Sequence, residues 1–269
     1  MLFGGNRKAV RRPTVAGTFY PRDAEVLKDT VAGLLAGARA TQNGQIRAVI
    51  APHAGYIYSG PVAAEAFAGL EALKGRVERL ILIGPAHFVR FRGIAAPTAE
   101  AFLTPLGKVS LDRAAIREIA DLPQVVIDDE PHAPEHALEV ELPFLQMVLG
   151  AVPVIPLVVG SARAEEVAEI LERLWDEKTL IVVSSDLSHY HDYETARRID
   201  AATAEAIERC DEGAIGPDDA CGSVALRGLL IEAKRRGLTI ERLDLRNSGD
   251  TAGDRNWVVG YGAWVVREF

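Results

Sequence analysis

Cysteine is almost missing from this chain: Cys210 and Cys221 are the two in 269 residues, too few for a disulfide framework. A surplus of positive charge is missing too. Thirty Lys and Arg stand against 38 Asp and Glu, for a net charge of -8 and a pI near 5.4. With nothing in excess to neutralise phosphates, nucleic acid is not an expected partner. Long apolar runs are also lacking. The most apolar stretches, 80–85 and 152–160, fall far short of the roughly 20 residues that span a bilayer, so no membrane partner is expected. The opening MLFGGNRKAVRR lacks the apolar centre of a signal peptide, and the expected location is cytoplasmic. Neither a GxGxxG nor a P-loop lysine accompanies the glycine at Tyr56–Pro61, and Ser184 and Ser185 lack the Gly-x-Ser-x-Gly elbow of a serine hydrolase. What is present, 48% apolar and 25% charged residues, is the composition of an ordinary globular protein.

Short runs of Ile, Val and Leu alternate with segments of helical period. That pattern predicts an α/β fold, with a mainly parallel central sheet flanked by helices. The expected strands are 47–51, 80–84, 154–159 and 179–184; the expected helices are 61–73, 111–119, 164–175, 193–209 and 223–236. A late run rich in Val and aromatics, 257–266, reads as a further strand, antiparallel and at an edge. The chain reads as one domain over 1–269, with a flexible arm at 1–12 and a second flexible stretch at 37–45. Residues 122–134 read as a surface excursion feeding a helix that starts around Pro134.

Three of the six histidines stand directly after expected strands: His53, His87 and His189. In an open parallel sheet the carboxyl ends of the strands share one edge, so these imidazoles are expected within reach of a common ion. Converging histidines beside a carboxylate such as Asp186, or a thiol, suit iron, copper or zinc. His136 reads as a first-turn histidine whose proton affinity the helix dipole lowers. Glu135, Glu139 and Glu141 read as solvated or capping carboxylates. Asp219 reads as an N-cap, which places Cys221 in a helix's first turn with a lowered thiol pKa.

The runs Val15–Pro21, Ala51–Gly60, Gly84–His87, Glu135–Gln146 and Ser184–Tyr190, taken jointly, resemble the Memo family of the prokaryotic AmmeMemoRadiSam system protein B type. The resemblance implies a fold similar to the class III non-haem extradiol dioxygenases. It implies His53, His87 and Cys221 as metal ligands, with Asp186 and His189 completing or bordering the pocket. A thiol as third ligand favours iron or copper, with zinc a further candidate, and does not carry ring cleavage across. Prokaryotic members of the family are often encoded beside radical-SAM and AMMECR-type proteins, which implies a shared pathway. The expected function is a metal-dependent oxidoreductase acting on a small molecule or peptide, with His189 as acid/base. Two alternatives stay open: an adaptor that binds a peptide or partner in the same cleft, and a metallohydrolase in which Asp186 and His136 orient water.

Overall fold

A computed structural model describes residues 10–39 and 44–268. The first half of the chain runs β1 (Val10–Arg11), α1 (Ala24–Gly37), β2 (Gln45–Ala51), α2 (Tyr56–Ala68), β3 (Arg79–Pro85), β4 (Ile94–Ala96), β5 (Ala101–Thr104), β6 (Gly107–Ser110), α3 (Arg113–Ile119) and β7 (Val125–Ile127). The second half runs α4 (Leu142–Leu149), β8 (Val154–Val159), α5 (Ala164–Leu174), β9 (Thr179–Ser184), β10 (His189–His191), α6 (Tyr193–Glu208), α7 (Ser223–Arg235), β11 (Thr239–Asn247) and β12 (Val258–Glu268).

The central strands lie in the order β2-β9-β3-β8, all parallel. Antiparallel β12 extends this core beyond β2, and antiparallel β4 extends it beyond β8. The fold is therefore α/β with a mixed sheet whose core is parallel. Side chains alternate between two apolar layers, as the period of a strand requires. Leu80, Leu82, Leu180 and Val182 enter the layer shared with α1, α2 and α4. Ile81, Ile83, Ile181 and Val183 enter the layer shared with α5, α6 and α7. A sheet covered on both faces explains why these strands read as unbroken apolar runs.

Four expectations need correction. The last strand is not at an edge: β12 pairs with β2 on one side and with β11 on the other, and its first residues also pair with β10, because a run buried on both faces belongs inside the sheet. The N-terminal arm is not loose as far as residue 12, since Val10–Arg11 pairs with β5; residues 1–9 lie outside the described residues, as do 40–43 of the second stretch read as flexible. Helix α2 starts at Tyr56 instead of Pro61. The carbonyl that Pro61 cannot serve belongs to Ile57, in the exposed first turn, where solvent reaches it. No helix starts at Pro134 either. The chain makes turns until a short 3-10 segment, Glu139–Glu141, which leads into α4.

Helix α1 and strand β11 have no counterpart in the sequence reading. For α1 a signal existed, because Asp23 caps the N–H groups of Glu25 and Val26, and Leu27 and Val31 are buried one turn apart. Among the described residues strand β11 pairs only with β12, and it carries charged, partly exposed side chains, so its apolar signal is weak.

Candidate metal centre

His53 stands two residues after β2 and His87 two residues after β3, so the parallel register of the core sheet brings them to one edge. His136 arrives from the segment that precedes α4. Ring centroids are 5.2 Å apart for His53 and His87, 5.5 Å for His53 and His136, and 4.8 Å for His87 and His136. One nitrogen from each ring lies within 4.8 Å of the other two. Among the described residues, no other group of three His, Cys, Asp or Glu converges in this way.

Hydrogen bonds anchor two of the three rings. His87 donates Nδ1–H to Oε1 of Glu135 at 2.9 Å, which leaves the lone pair on Nε2. The same carboxylate accepts from the backbone N–H of His87 at 2.6 Å and from those of His136 and Ala137, both at 2.9 Å. Burial alone would raise the Glu135 pKa, but the hydrogen bond and electrostatic attraction of the His87 ring, with the backbone donors, pull it down to about 2. Nδ1 of His53 lies 2.7 Å from the Ser184 hydroxyl. Nδ1 of His136 approaches Glu135 at 3.4 Å without hydrogen-bond geometry and has no other partner. Burial, reinforced by the other imidazoles, lowers His53 to about 3 and His136 to about 4. Both are therefore neutral near pH 7. Neutral rings, one with an unpartnered buried nitrogen, fit the donor set of a transition-metal ion, and the cluster can hold one.

Cys221 belongs to the same place, its sulfur 3.4 Å from Nε2 of His53. Its chemistry differs from expectation. The helix starts at Ser223 with Gly222 as N-cap, while Asp219 accepts from the N–H of Gly216. Cys221 therefore lies outside the first turn. Burial, together with the charge of Asp186, pushes the thiol up to about 12. Asp186 braces both neighbours: its Oδ1 accepts from the backbone N–H of His53 at 2.8 Å, and its own N–H lies 3.3 Å from the Cys221 sulfur. Burial raises the Asp186 pKa, and His189 opposes that rise. His189 stands outside the converging trio, half-buried on β10. A cleft of about 340 Å³, lined by Ala86, Arg90, Phe91, Ser161, Cys221 and Ser223, reaches the thiol from solvent.

The three glutamates are not solvated. Glu135, Glu139 and Glu141 are at most 2% exposed, because each bonds partners from distant parts of the chain. His132 is buried as well and bonds the carbonyl of Ala95 through Nε2, away from the trio.

The sequence matches the family described as Memo-like protein over residues 11–265. The chain belongs to the Memo family. A MEMO1 family protein of Aquifex aeolicus is 35% identical over 267 residues, covering 94% of this chain and 97% of its own. One from Aeropyrum pernix is also 35% identical and covers 94% and 98%. One from Thermotoga maritima is 34% identical and covers 93% and 97%. In fold, the chain is similar to the crystal structure of uncharacterized protein JW3007 from Escherichia coli K12, with a TM-score of 0.51 at 16% identity, covering 81% of this chain and 99% of that one. Memo family membership places the metal-capable trio in a protein of this type. Among the described residues no helix is long and apolar enough to cross a membrane.

Proposed function

We propose that this Memo family protein is a metal-dependent oxidoreductase, with iron or copper held by His53, His87 and Cys221 and with His136 closing the same space. One observation carries the reading: three imidazoles converge and a sulfur lies 3.4 Å from Nε2 of one of them, while the carboxylate of Glu135 is turned to the back of His87. Imidazole with thiolate selects iron, copper or zinc over magnesium or calcium. A bound iron or copper ion would supply the one-electron chemistry that no side chain here provides. Glu135 and Ser184 hold the two rings in place from behind. The Asp186 carboxylate fixes the backbone of His53, and its peptide N–H faces the sulfur. His189, beside Asp186, is the group free to move substrate protons. The 340 Å³ cleft suits a small molecule or a single peptide side chain.

Anaerobic purification followed by elemental analysis, and then an oxygen-consumption screen across catechols and small thiols, tests this. The expected result is about one equivalent of iron or copper, lost in His53→Ala and His87→Ala, with oxygen uptake that follows metal content. A chain that takes up no metal and consumes no oxygen overturns the reading. In that case the exposed Phe88, whose ring lies 5.7 Å from His136, would favour a partner-binding module using the same cleft.

A further inference from the structure

Ser184 ends β9 and is fully buried. Its hydroxyl oxygen has three neighbours at hydrogen-bonding distance: Nδ1 of His53 at 2.7 Å, the carbonyl oxygen of Ala137 at 2.7 Å, and Oε1 of Glu141 at 2.9 Å. A hydroxyl brings one proton and two lone pairs. The carbonyl of Ala137 can only accept, so it takes the Ser184 proton. The other two neighbours must then bring protons of their own. For His53 this puts the proton on Nδ1 and leaves the lone pair on Nε2, the nitrogen that faces Cys221. For Glu141 it requires a protonated carboxyl.

Two further observations agree with that count. Glu141 is completely buried, and its Oε2 has no hydrogen-bond partner. A carboxylate in that position would be a buried charge with one hydrogen bond, far costlier than a neutral acid. Burial accordingly raises its pKa well above the usual range. The opposite arrangement, with Ser184 donating to His53, would press the lone pairs of the Ala137 oxygen against those of the hydroxyl at 2.7 Å.

We propose that Glu141 is a positioning residue held as a neutral acid, and that with Ser184 it locks His53 in the Nδ1–H tautomer, leaving Nε2 free for an ion. Free imidazole disfavours that tautomer, so the lock is directly observable. Only the last clause rests on the metal-site reading; the tautomer does not.

The full-length chain, stripped of metal by chelation and labelled with ¹⁵N-histidine, is read at pH 7.5 by long-range ¹H–¹⁵N correlation, with the His53 signals assigned from His53→Gln. We expect a protonated Nδ1 and an unprotonated Nε2. Glu141→Gln should keep this pattern, since its amide can donate to Ser184, and Ser184→Ala should shift it toward Nε2–H. A wild-type His53 protonated on Nε2 overturns the lock. A Glu141 carboxyl ¹³C resonance of ionised type at the same pH overturns the neutral acid. In anaerobic Fe²⁺ titrations, Glu141→Gln should stay within about twofold of wild type, and Ser184→Ala should bind about tenfold to a hundredfold more weakly. The expected tautomer in a wild-type chain that binds no Fe²⁺ would strike down the metal-site reading and leave the lock standing.

Discussion

Glu135 does more for the site than any ligand candidate, because one carboxylate accepts from three backbone N–H groups and from the ring of His87. Its pKa is depressed in the folded chain, to about 2 from an ordinary 4.5. The stability it contributes is therefore present above pH 4.5 and lost as pH falls through about 2. Glu135→Gln turns an N–H toward at least one of those donors in a position 2% exposed to solvent. The expected cost is about 2 to 3 kcal/mol in the denaturant midpoint, with Fe²⁺ affinity lower by about tenfold or more as His87 loses its anchor. A variant with unchanged stability and affinity would show that the four contacts are incidental. Cys221 makes a different point about single residues. Its place after Pro217 and Asp219 suggests a helix-activated thiol, yet a start only two residues later, at Ser223, leaves it half-buried without the help of the dipole.

At the scale of elements, the site depends on how closely the loop before α7 approaches the end of β9. A Cβ added at Gly222 would lie 2.7 Å from Cβ of Ser185 and 2.9 Å from the carbonyl oxygen of Ser184. Neither atom is the end of a flexible chain, so Gly222→Ala must push the Cys221 loop away from His53. The expected cost is about 1 to 3 kcal/mol in thermal unfolding, and alkylation of Cys221 should become faster than in wild type. Unchanged melting and unchanged alkylation would mean that the loop has slack. The same scale decides what could be read in advance. The four core strands, with α3 and α5 between them, were legible because each strand is buried on both faces, and the positions of His53 and His87 followed from that. The stretch from Glu135 to Glu141 was not legible. Its spacing of glutamates and apolar residues imitates an amphipathic helix, whereas its actual path is set by partners far away in sequence: His87 for Glu135, Arg11 and Tyr20 for Glu139, Ser184 for Glu141. Local periodicity carries no information about such partners. For the same reason His136 looked like a helix-terminus residue when it is a member of the trio.

Across the whole molecule, the start of the chain is tied to the wall of the site. Nη1 of Arg11 meets Oε2 of Glu139 at 2.7 Å, with both side chains nearly sealed from water, and its Nε donates to the carbonyl of His132. Arg11→Met leaves Glu139 as a buried, unpaired charge, and a loss of about 3 to 5 kcal/mol is expected in chemical denaturation. A loss below 1 kcal/mol would mean that the backbone N–H groups of Thr14 and Val15, with the Tyr20 hydroxyl, satisfy Glu139 alone.

Asp200 sets a pH dependence of opposite sign from that of Glu135. It projects from α6, accepts from the N–H of Ser188 at 3.0 Å, and so supports the loop that carries His189. Burial raises its pKa to about 6 from an ordinary 3.8, with Ser188 opposing the rise, the charge of His191 also lowering it and that of Asp219 raising it. A raised carboxyl is favoured in its neutral form by folding, so it costs nothing below pH 3.8. The cost grows as pH climbs from there through about 6, and above that it reaches about 3 kcal/mol at most. Asp200→Asn keeps an acceptor for Ser188 and removes the charge. The variant should therefore be more stable than wild type at pH 7.5, by up to about 3 kcal/mol, and should lose that advantage at pH 4. Unfolding curves for both proteins at the two pH values decide the matter, because a stability difference that is the same at pH 4 and pH 7.5 cannot come from the titration of this group.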